Sequence, residues 1–327
     1  MSENEVKRHV IGVDINTEQT TYTVVDIQGG ILAKESFRTS DYPNVNEYVT
    51  VLSEKIIALV EQNGGYENVR SIGVSAPSGN FVTGSMENAS NMPWKGHVPL
   101  AAMLRDRMGL AVALGNDAHV TAVGEKAFGA AHGFRNFIVI SFSHGGLGSC
   151  IFIDGHPYLG TEGFAGEFGH ICIDENGRQC NCGHRGCLEE YASARGMAKT
   201  AKEIIQTTGK KSILQEVEEI TPQVIADACE QGDEVALETF QQTGRFLGSA
   251  LATYASLLDP EAIILTGDMT LFSKWIMDVL RESFEANIFQ NLKGKVKILI
   301  SPLNNSERDA LGASALAWEV KEYSLFK

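Results

Sequence analysis

A histidine and three cysteines stand close together near the middle of the chain. They follow the spacing H-x9-C-x-C-x4-C, and they are His170, Cys180, Cys182 and Cys187. Three thiolates and one imidazole match the four corners of a closed, tetrahedral zinc site, which holds a loop in place. The spacing therefore predicts a structural Zn²⁺ ion in this segment.

Two carboxylates flank the same segment. Glu167 lies three residues before His170, and Glu189 lies two residues after Cys187. His170 can bind zinc through one ring nitrogen and donate a hydrogen bond through the other, either to a sugar hydroxyl or to a backbone carbonyl. Paired carboxylates beside such a loop suit the binding of vicinal hydroxyl groups, although glutamates are more often simply solvated. The pattern predicts a small polar ligand held by a metal-braced loop.

The pair Asn116-Asp117 is a second candidate for chemistry. It follows a short apolar stretch, Ala111–Leu114, and opens a pattern typical of a helix. An aspartate at that place is either a helix cap or a general base at the end of a strand. Phosphoryl transfer to an alcohol needs such a carboxylate to orient the attacking hydroxyl. The local sequence leaves both interpretations open.

Two turns have features of anion-binding loops. Ser143–Cys150 contains three glycines, whereas Asp14–Thr20 contains none. Backbone N–H groups in glycine-rich turns bind anions because no side chain blocks the approach. Both segments are equally consistent with plain hairpin turns.

Composition narrows the class of protein. The chain has 327 residues, of which 43% are hydrophobic and 21% charged, which is typical of a globular protein of about two domains. The net charge of −14 argues against nucleic acid as a partner, because binding a phosphate backbone needs a basic surface.

The opening residues, MSENEVKRHV, lack the apolar core of a secretory signal. No apolar run approaches the ~18 residues of a membrane span, so no membrane partner is expected. The expected location is the cytoplasm. Cys150, Cys172 and Cys229 are scattered along apolar stretches and are expected to be small core residues.

The elements that would position these residues follow from apolar periodicity and turn signals. Strands are predicted at His9–Asp14, Thr20–Asp26, Ile31–Arg38, Val69–Ser75, Ala111–Leu114, Phe137–Phe142, Cys150–Asp154, Ala262–Thr266 and Val296–Ile300. Helices are predicted at Val45–Gln62, Leu100–Met108, Ala118–Ala131, Tyr191–Gln206, Thr221–Glu230, Glu234–Leu258, Phe272–Ile288 and Asp309–Glu322. A strand, a polar or glycine-rich turn and a strand occur twice, near residues 14 and 146. Mixed sheets with helices on their faces give the α/β class.

Several motifs together make the chain similar to ROK-family sugar kinases of the glucokinase-like and N-acetylhexosamine kinase-like type. In chain order they are NMPW at Asn91–Trp94, GND at Gly115–Asp117, AGEFGH at Ala165–His170 and CNCGHRGCLE at Cys180–Glu189. The resemblance extends over essentially the whole chain, from Ile11 to the LGASALAWE segment at Leu311–Glu319.

The resemblance implies an actin/hexokinase-like, ribonuclease H-like α/β fold, duplicated into two lobes with a central cleft and a structural zinc loop. Residues 1–116 would form the N-terminal lobe, completed by a C-terminal helix over about 307–327. Residues 117–306 would form the C-terminal lobe, which carries the zinc loop. Sugar and ATP would meet in the cleft, and a homodimer or homotetramer is expected on the same ground.

The resemblance also implies roles for individual residues. Asp117 would be the general base. The sugar would be bound by Asn116, Glu167, His170, Glu189 and, in the turn Pro77–Asn80, Gly79. The nucleotide, accompanied by Mg²⁺, would be contacted by Asp14, Gly146, Gly148 and Gly267, and zinc by His170, Cys180, Cys182 and Cys187.

The first nucleotide-side turn departs from the family pattern. It reads DINTE where DIGGT is usual, so Asn16 and Thr17 replace glycines and Glu18 replaces a threonine. A carboxylate at position 18 would face the ATP phosphates. Two like charges 4 Å apart repel by roughly 4 kcal/mol at an effective dielectric constant near 20.

Two further turns on the nucleotide side also depart from the family pattern. The second reads SHGGLGSC where LGTGVGSG is usual, with His144 in place of a glycine and Gly145 in place of a threonine. The third keeps Gly267 but continues with Asp268 where the family has another glycine. All three changes fall on the nucleotide side, whereas the sugar and zinc motifs are intact.

The expected activity is therefore ATP-dependent phosphorylation of a hexose, glucose-like or N-acetylated, at its 6-hydroxyl. The alternative is a catalytically impaired ROK protein that binds sugar as a sensor or regulator. A DNA-binding ROK repressor is not expected, because only a short segment precedes the first strand and the net charge is acidic.

Overall fold

The computed structural model describes residues 7–89, 92–143 and 145–320, which form two compact units. One unit runs through Gly133 and also contains Leu159–Ala165 and the chain from Pro302 onward. The other contains Phe134–Tyr158 and Gly166–Ser301. The division predicted after residue 116 falls inside the first unit, because the helix that follows packs against the C-terminal helix. None of the described helices is both long enough and apolar enough to cross a bilayer.

The described residues contain thirteen strands and nine α-helices. The strands are β1 His9–Ile15, β2 Gln19–Asp26, β3 Ile31–Arg38, β4 Val69–Ser75, β5 Gly79–Asn80, β6 Ser85–Glu87, β7 His97–Val98, β8 Ala111–Gly115, β9 Phe137–Phe142, β10 Gly148–Ile153, β11 His156–Pro157, β12 Ala262–Gly267 and β13 Lys297–Ile300. The helices are α1 Val45–Gln62, α2 Leu100–Met108, α3 Asp117–Phe128, α4 Glu189–Ala192, α5 Ala194–Thr208, α6 Pro222–Glu230, α7 Glu234–Leu258, α8 Ser273–Asn287 and α9 Asn305–Glu319. Short 3-10 turns include Phe168–His170 and Asp268–Phe272.

The first unit is built on a five-stranded sheet in the order β3-β2-β1-β4-β8. The pairs β1–β2 and β2–β3 are antiparallel, whereas β1–β4 and β4–β8 are parallel. Helix α9 lies directly on β1 and β4. A side chain at Gly73 in β4 would clash with the Ala313 carbonyl of α9, so glycine is what permits this close approach.

The second unit repeats the same topology. Its sheet has the order β11-β10-β9-β12-β13, again with two antiparallel pairs followed by two parallel pairs. Strands β9 and β12 are buried at every position, and the long helix α7 packs against α8 beside them. The predicted duplicated α/β fold is confirmed by these two sheets.

The structure departs from the predicted elements in several places, of which three affect the architecture most. The short strands β5 to β7 form a small third sheet that the sequence did not indicate. The helix predicted at Tyr191–Gln206 begins earlier and is broken at Ser193, whose backbone is extended and whose side chain accepts a hydrogen bond from the Gly196 N–H as the N-cap of α5. The last helix starts at Asn305 instead of Asp309, and its predicted end at Glu322 lies outside the described residues.

Candidate functional site

The predicted metal ligands come together in the second unit. One ligand atom each from His170, Cys180, Cys182 and Cys187 lies within 4.8 Å of the others. Cys180 Sγ is 3.8 Å from His170 Nδ1, and Cys182 Sγ is 3.5 Å from Cys187 Sγ. Ligand atoms around a tetrahedral Zn²⁺ with bonds of 2.0–2.3 Å are roughly 3.3–3.8 Å apart. The four residues therefore fit a zinc ion, with His170 Nδ1 on the metal side.

Local backbone pairing brings the four ligands together. Cys172 pairs with Cys187 as an isolated antiparallel bridge, so the two ends of the loop lie side by side. Gly186 has φ +68°, and a side chain there would clash with the Asp174 carbonyl. Only glycine tolerates both the positive φ and the lack of room for a Cβ, which accounts for the glycine directly before Cys187. Cys172 itself is exposed, so its prediction as a core residue was wrong.

The thiols of the cluster differ in acidity. Burial, reinforced by the neighbouring Cys182 and Cys180 thiols, raises the pKa of Cys187 to about 12. Burial acts in the same direction on Cys182, but hydrogen bonds, the largest from the His184 backbone, lower the pKa of Cys182 overall. A metal ion binds thiolates, so occupancy of this cluster would be coupled to release of thiol protons.

Glu189 is the first residue of α4, and both oxygens of its carboxylate accept hydrogen bonds. Its Oε2 accepts a hydrogen bond from the Leu147 N–H at 3.1 Å, and its Oε1 pairs with Arg195 Nη2 at 2.9 Å. The carboxylate is only 12% exposed, compared with 51% for the Arg195 side chain. Glu189 thus connects the loop that carries the cysteines to the glycine-rich turn before β10. Each carboxylate oxygen retains capacity to accept a further hydrogen bond.

Glu167 precedes the 3-10 turn that ends at His170 and is exposed. Burial, and then the Glu167 charge, raise the pKa of the Tyr254 hydroxyl. Phe168 next to it is fully buried and contacts the Tyr254 ring edge-on, with 4.3 Å between ring centroids. The buried phenylalanine fixes the backbone on which Glu167 and His170 stand.

Asn116 and Asp117 lie in the first unit, where β8 passes into α3. Asn116 is the N-cap of the helix, since its Oδ1 accepts a hydrogen bond from the His119 N–H at 2.7 Å. Asp117 Oδ1 accepts from the N–H of the next residue, Ala118, at 2.9 Å and is partly exposed. The capping role that the sequence allowed for Asp117 therefore belongs to Asn116.

Gly79 is adjacent to this pair. A Cβ at Gly79 would lie 2.5 Å from the Gly115 carbonyl oxygen, which belongs to the residue before Asn116. The structure thus brings the three candidates of the first unit, Gly79, Asn116 and Asp117, to one end of β8. Asn91, named in the sequence motif NMPW, lies outside the described residues.

The turn between β1 and β2 is closed by hydrogen bonds to the side chain of Asn16, which lies within the turn. Asn16 Oδ1 accepts hydrogen bonds from the N–H groups of Glu18 at 3.0 Å and Gln19 at 2.8 Å. Those are the backbone donors that an anion would use in this turn. The Glu18 side chain is exposed, and Asp14 stands at the end of β1 just before the turn.

The other two predicted nucleotide turns retain essential glycines. Gly146 passes over Glu189, so that a Cβ there would lie 3.1 Å from Glu189 Oε2, and Gly148 begins β10. Gly267 has φ +91° and ends β12, where a side chain would clash with the Phe142 backbone. His144 lies outside the described residues.

Three residues near these groups were not foreseen. His119 is buried, which lowers its pKa to about 4, and its Nε2 has no partner among the described residues. Arg195 pairs with Glu189 across the break between α4 and α5, a break that the sequence pattern did not reveal. Arg178 lies in the loop between His170 and Cys180, and its side chain is only 11% exposed, although arginines are usually solvated.

Comparison with known proteins places the whole chain among relatives. The profile described as "ROK family" matches residues 10–320. The chain is 31% identical over 316 residues to the glucokinase of Streptomyces coelicolor, with 94% of this chain and 97% of that protein covered.

Solved structures agree with these matches. The ROK family glucokinase of Streptomyces griseus, in complex with glucose and AMPPNP, is 32% identical, with a TM-score of 0.77 and coverage of 95% of this chain and 100% of that one. A ROK family transcriptional regulator, described as a homolog of the E. coli MLC protein, has a TM-score of 0.84 and 27% identity. It covers 96% of this chain, which in turn spans 78% of the regulator.

Proposed function

Because this chain belongs to the ROK family, we propose that it is a sugar kinase that transfers the γ-phosphoryl group of ATP to a hexose. The observation that carries the proposal is the full-length similarity to a glucokinase whose structure holds glucose and a nucleotide analogue together. The substrate we propose is a glucose-like or N-acetylated hexose, phosphorylated at the 6-hydroxyl.

Asp117 is the proposed general base. Its carboxylate takes the proton of the sugar hydroxyl while that oxygen bonds to the γ-phosphorus, and the bond from the γ-phosphorus to the bridging oxygen of ADP breaks. The side chain is partly exposed at the start of α3 and does not serve as the helix cap. A carboxylate in that place is available to a bound hydroxyl, which supports the assignment.

The proposed sugar ligands are Gly79, Asn116, Glu167, His170 and Glu189. Asn116 uses Oδ1 as the helix cap, so its amide NH₂ is the group we assign to the sugar. His170 presents Nδ1 to the cysteine cluster, which assigns Nε2–H to a sugar hydroxyl. The carboxylates of Glu167 and Glu189 accept hydrogen bonds from further hydroxyl groups.

On the nucleotide side we propose contacts from Asp14, Gly146, Gly148 and Gly267. The Mg²⁺ that accompanies ATP offsets negative charge on the phosphates, and Asp14 is the residue we assign to its water shell. The glycines let backbone N–H groups approach the phosphates without side-chain obstruction. We also propose a structural Zn²⁺ ion at His170 and the three cysteines, which the closed set of four candidate ligands supports.

A coupled ADP-release assay tests the proposal. The panel is glucose, N-acetylglucosamine, N-acetylmannosamine, mannose, allose and fructose, each with Mg-ATP. We expect sugar-dependent ADP release for at least one aldohexose or N-acetylhexosamine. Absence of release for all six, with a folded and zinc-loaded protein, would rule out the kinase within this substrate class.

A sugar sensor without kinase activity is the second candidate, and the closed turn at Asn16 favours it. There the Asn16 side chain already occupies the N–H groups of Glu18 and Gln19. Structural similarity to a transcriptional regulator of the same family is compatible with such a role.

Calorimetry with the triple variant Asn16→Gly, Thr17→Gly and Glu18→Thr separates the two candidates. If the protein is an efficient kinase, the variant should bind Mg-ATP with a Kd within about threefold of the wild-type value. A wild-type protein that binds hexose but no Mg-ATP at millimolar concentration, together with a large gain in the variant, would establish the sensor instead.

A further inference from the structure

Arg178 lies in the loop between His170 and Cys180, and its guanidinium uses all five of its N–H groups. Nε and Nη2 donate to the two carboxylate oxygens of Glu203, at 2.9 and 2.5 Å. Nη1 donates to the carbonyls of Glu190 at 2.5 Å and Gly196 at 3.1 Å, and Nη2 also donates to Thr200 Oγ1 at 2.9 Å. Such complete use of the planar fork is specific to arginine.

Its partners all belong to the helical segment that begins at Glu189. Glu190 is in α4, Gly196 lies in the first turn of α5, and Glu203 follows two turns later. The Tyr191 ring stacks under the guanidinium, 4.4 Å from its carbon to the ring centroid, and the Tyr191 hydroxyl accepts a hydrogen bond from the Arg178 backbone N–H. The Arg178 side chain is 11% exposed, so these bonds are largely shielded from water.

This attachment is separate from the metal cluster. None of the Arg178 contacts named above involves His170, Cys180, Cys182 or Cys187. The loop is therefore joined to α4 in two ways. The first is the chain itself at Cys187, two residues before Glu189. The second is the hydrogen bond from Arg178 to the carbonyl of Glu190, one residue after Glu189. Glu189 stands between the two attachments.

We propose that Arg178 is a positioning residue that holds Glu189 for sugar binding independently of the metal. The proposal rests on the proposed function, in which Glu189 is a sugar ligand. Removing the guanidinium takes away the five hydrogen bonds that the Arg178 side chain donates to α4 and α5, so α4 loses this side-chain attachment to the loop. Charge-assisted bidentate bonds of this kind are among the strongest hydrogen bonds in proteins.

The test compares Arg178→Ala with Arg185→Ala, a matched control in the same loop whose exposed side chain donates one hydrogen bond to the Gly177 carbonyl. Sugar and Mg-ATP affinities are measured by calorimetry, and zinc content by elemental analysis. We expect Arg178→Ala to raise the Kd for the sugar at least tenfold and the Kd for Mg-ATP less than threefold, with zinc content unchanged. Arg185→Ala should leave both affinities within twofold.

A conservative variant keeps the test meaningful should the alanine variant fail to fold. Arg178→Lys retains the charge but has three donors and no planar fork, so its Kd for the sugar should rise threefold or more. If Arg178→Lys, or a folded Arg178→Ala protein, binds sugar within twofold of wild type, the positioning role is overturned.

Hydrogen exchange separates failure of this inference from failure of the proposed function. Arg178→Ala should speed exchange of the amides at 188–192 at least tenfold, whereas Arg185→Ala should not change it. A wild-type protein that binds no hexose contradicts the proposed function, and unchanged exchange at 188–192 in Arg178→Ala contradicts the attachment itself.

Discussion

Asn116, and not its neighbour Asp117, is the N-cap of helix α3. The amide oxygen of Asn116 satisfies the His119 N–H at the start of α3, so the carboxylate of Asp117 is not used as the cap. Both are residue types that favour helix N-termini, and the sequence alone could not assign the cap to one of them. This bears on the proposed role of Asp117, because a carboxylate committed to capping would be a poor acceptor for a substrate proton.

The first residue-scale prediction concerns the cysteine cluster. Cys182→Ser should reduce bound zinc from one per chain to near zero, because one of four ligands is lost. The loop that carries His170 and joins Glu189 should loosen, and the Kd for the hexose should rise about 10–100-fold, as is usual when the shell around a metal is disturbed. Elemental analysis and calorimetry measure the two effects.

Cys172→Ser is the matched control for that variant. Cys172 lies in the same loop and pairs with Cys187 through the backbone only, so its substitution should leave zinc content and sugar affinity unchanged. Full zinc occupancy in Cys182→Ser, or full sugar affinity after metal loss, would contradict the bracing role.

The second residue-scale prediction concerns His119. Burial lowers its pKa from 6.5 to about 4, so in the folded protein it stays neutral where the unfolded chain would bind a proton. Because the unfolded state binds more protons between pH 6.5 and pH 4, stability falls as the pH falls through that window. The loss attributable to this group is on the order of 3 kcal/mol by pH 4.

Urea unfolding at pH 7 and pH 4.5 measures that effect. In His119→Gln, which cannot titrate in this range, the difference in unfolding free energy between the two pH values should be smaller than in the wild type. The control is His132→Gln, since His132 is exposed. An equal pH dependence in wild type and His119→Gln would refute the assignment.

At the level of residues, the clustering of His170 with Cys180, Cys182 and Cys187 was predictable, because the spacing of these residue types is typical of a metal site. The Arg195–Glu189 pair and the closure of the Asn16 turn were not. The first depends on the break at Ser193, and the second on the rotamer of one asparagine side chain. Neither is visible in residue type or periodicity.

At the level of elements, the first unit depends on helices that lie unusually close. Helices α3 and α9 cross at Gly124 and Gly312, where a Cβ on Gly124 would be 2.9 Å from the Gly312 Cα. A Cβ on Gly312 would be 2.6 Å from the Val120 carbonyl oxygen. Both obstacles are backbone atoms, which cannot rotate away as a flexible side chain would. The helix that starts at Asp117 is thereby held against the C-terminal helix.

Gly312→Ala should therefore destabilise the protein by about 1–3 kcal/mol through overpacking. Gly133→Ala is the control, since Gly133 has ordinary φ and nothing within 4 Å of the added Cβ. Its effect should stay within about 0.5 kcal/mol. Thermal and urea unfolding measure both variants, and a Gly312→Ala protein as stable as wild type would show that the crossing can relax.

Most long elements were predictable because their apolar period persists over many residues. Ile31–Arg38, Val45–Gln62, Leu100–Met108 and Glu234–Leu258 were predicted with the bounds that the structure has. Strands β5 to β7 have only two or three residues each, which is too short for a period to show. They form through pairing with one another, which is a non-local cause.

At the scale of the whole molecule, the same sheet topology occurs twice. The turn between the first two strands is glycine-rich in the second unit, whereas in the first unit the Asn16 side chain closes it. The family resemblance implied this duplication, and the repeated strand–turn–strand pattern in the sequence is consistent with it. The boundary between units was less predictable, since α3 joins the first unit through packing on α9, some 190 residues further along the chain.

The proposed kinase activity depends most directly on the Asp117 carboxylate as the general base for phosphoryl transfer. The most direct measurement is kcat for hexose-dependent ADP release by wild type and by Asp117→Asn, with sugar affinity measured alongside. Asp106→Asn is the control, because Asp106 is an aspartate of the same unit whose side chain is 70% exposed.

We predict that Asp117→Asn lowers kcat by about 10²–10⁴-fold, as expected for loss of a general base, while the Kd for the hexose changes less than about threefold. Asp106→Asn should match wild type in both. An Asp117→Asn protein that keeps wild-type kcat, or a wild-type protein that binds hexose and Mg-ATP but releases no ADP, would contradict the account.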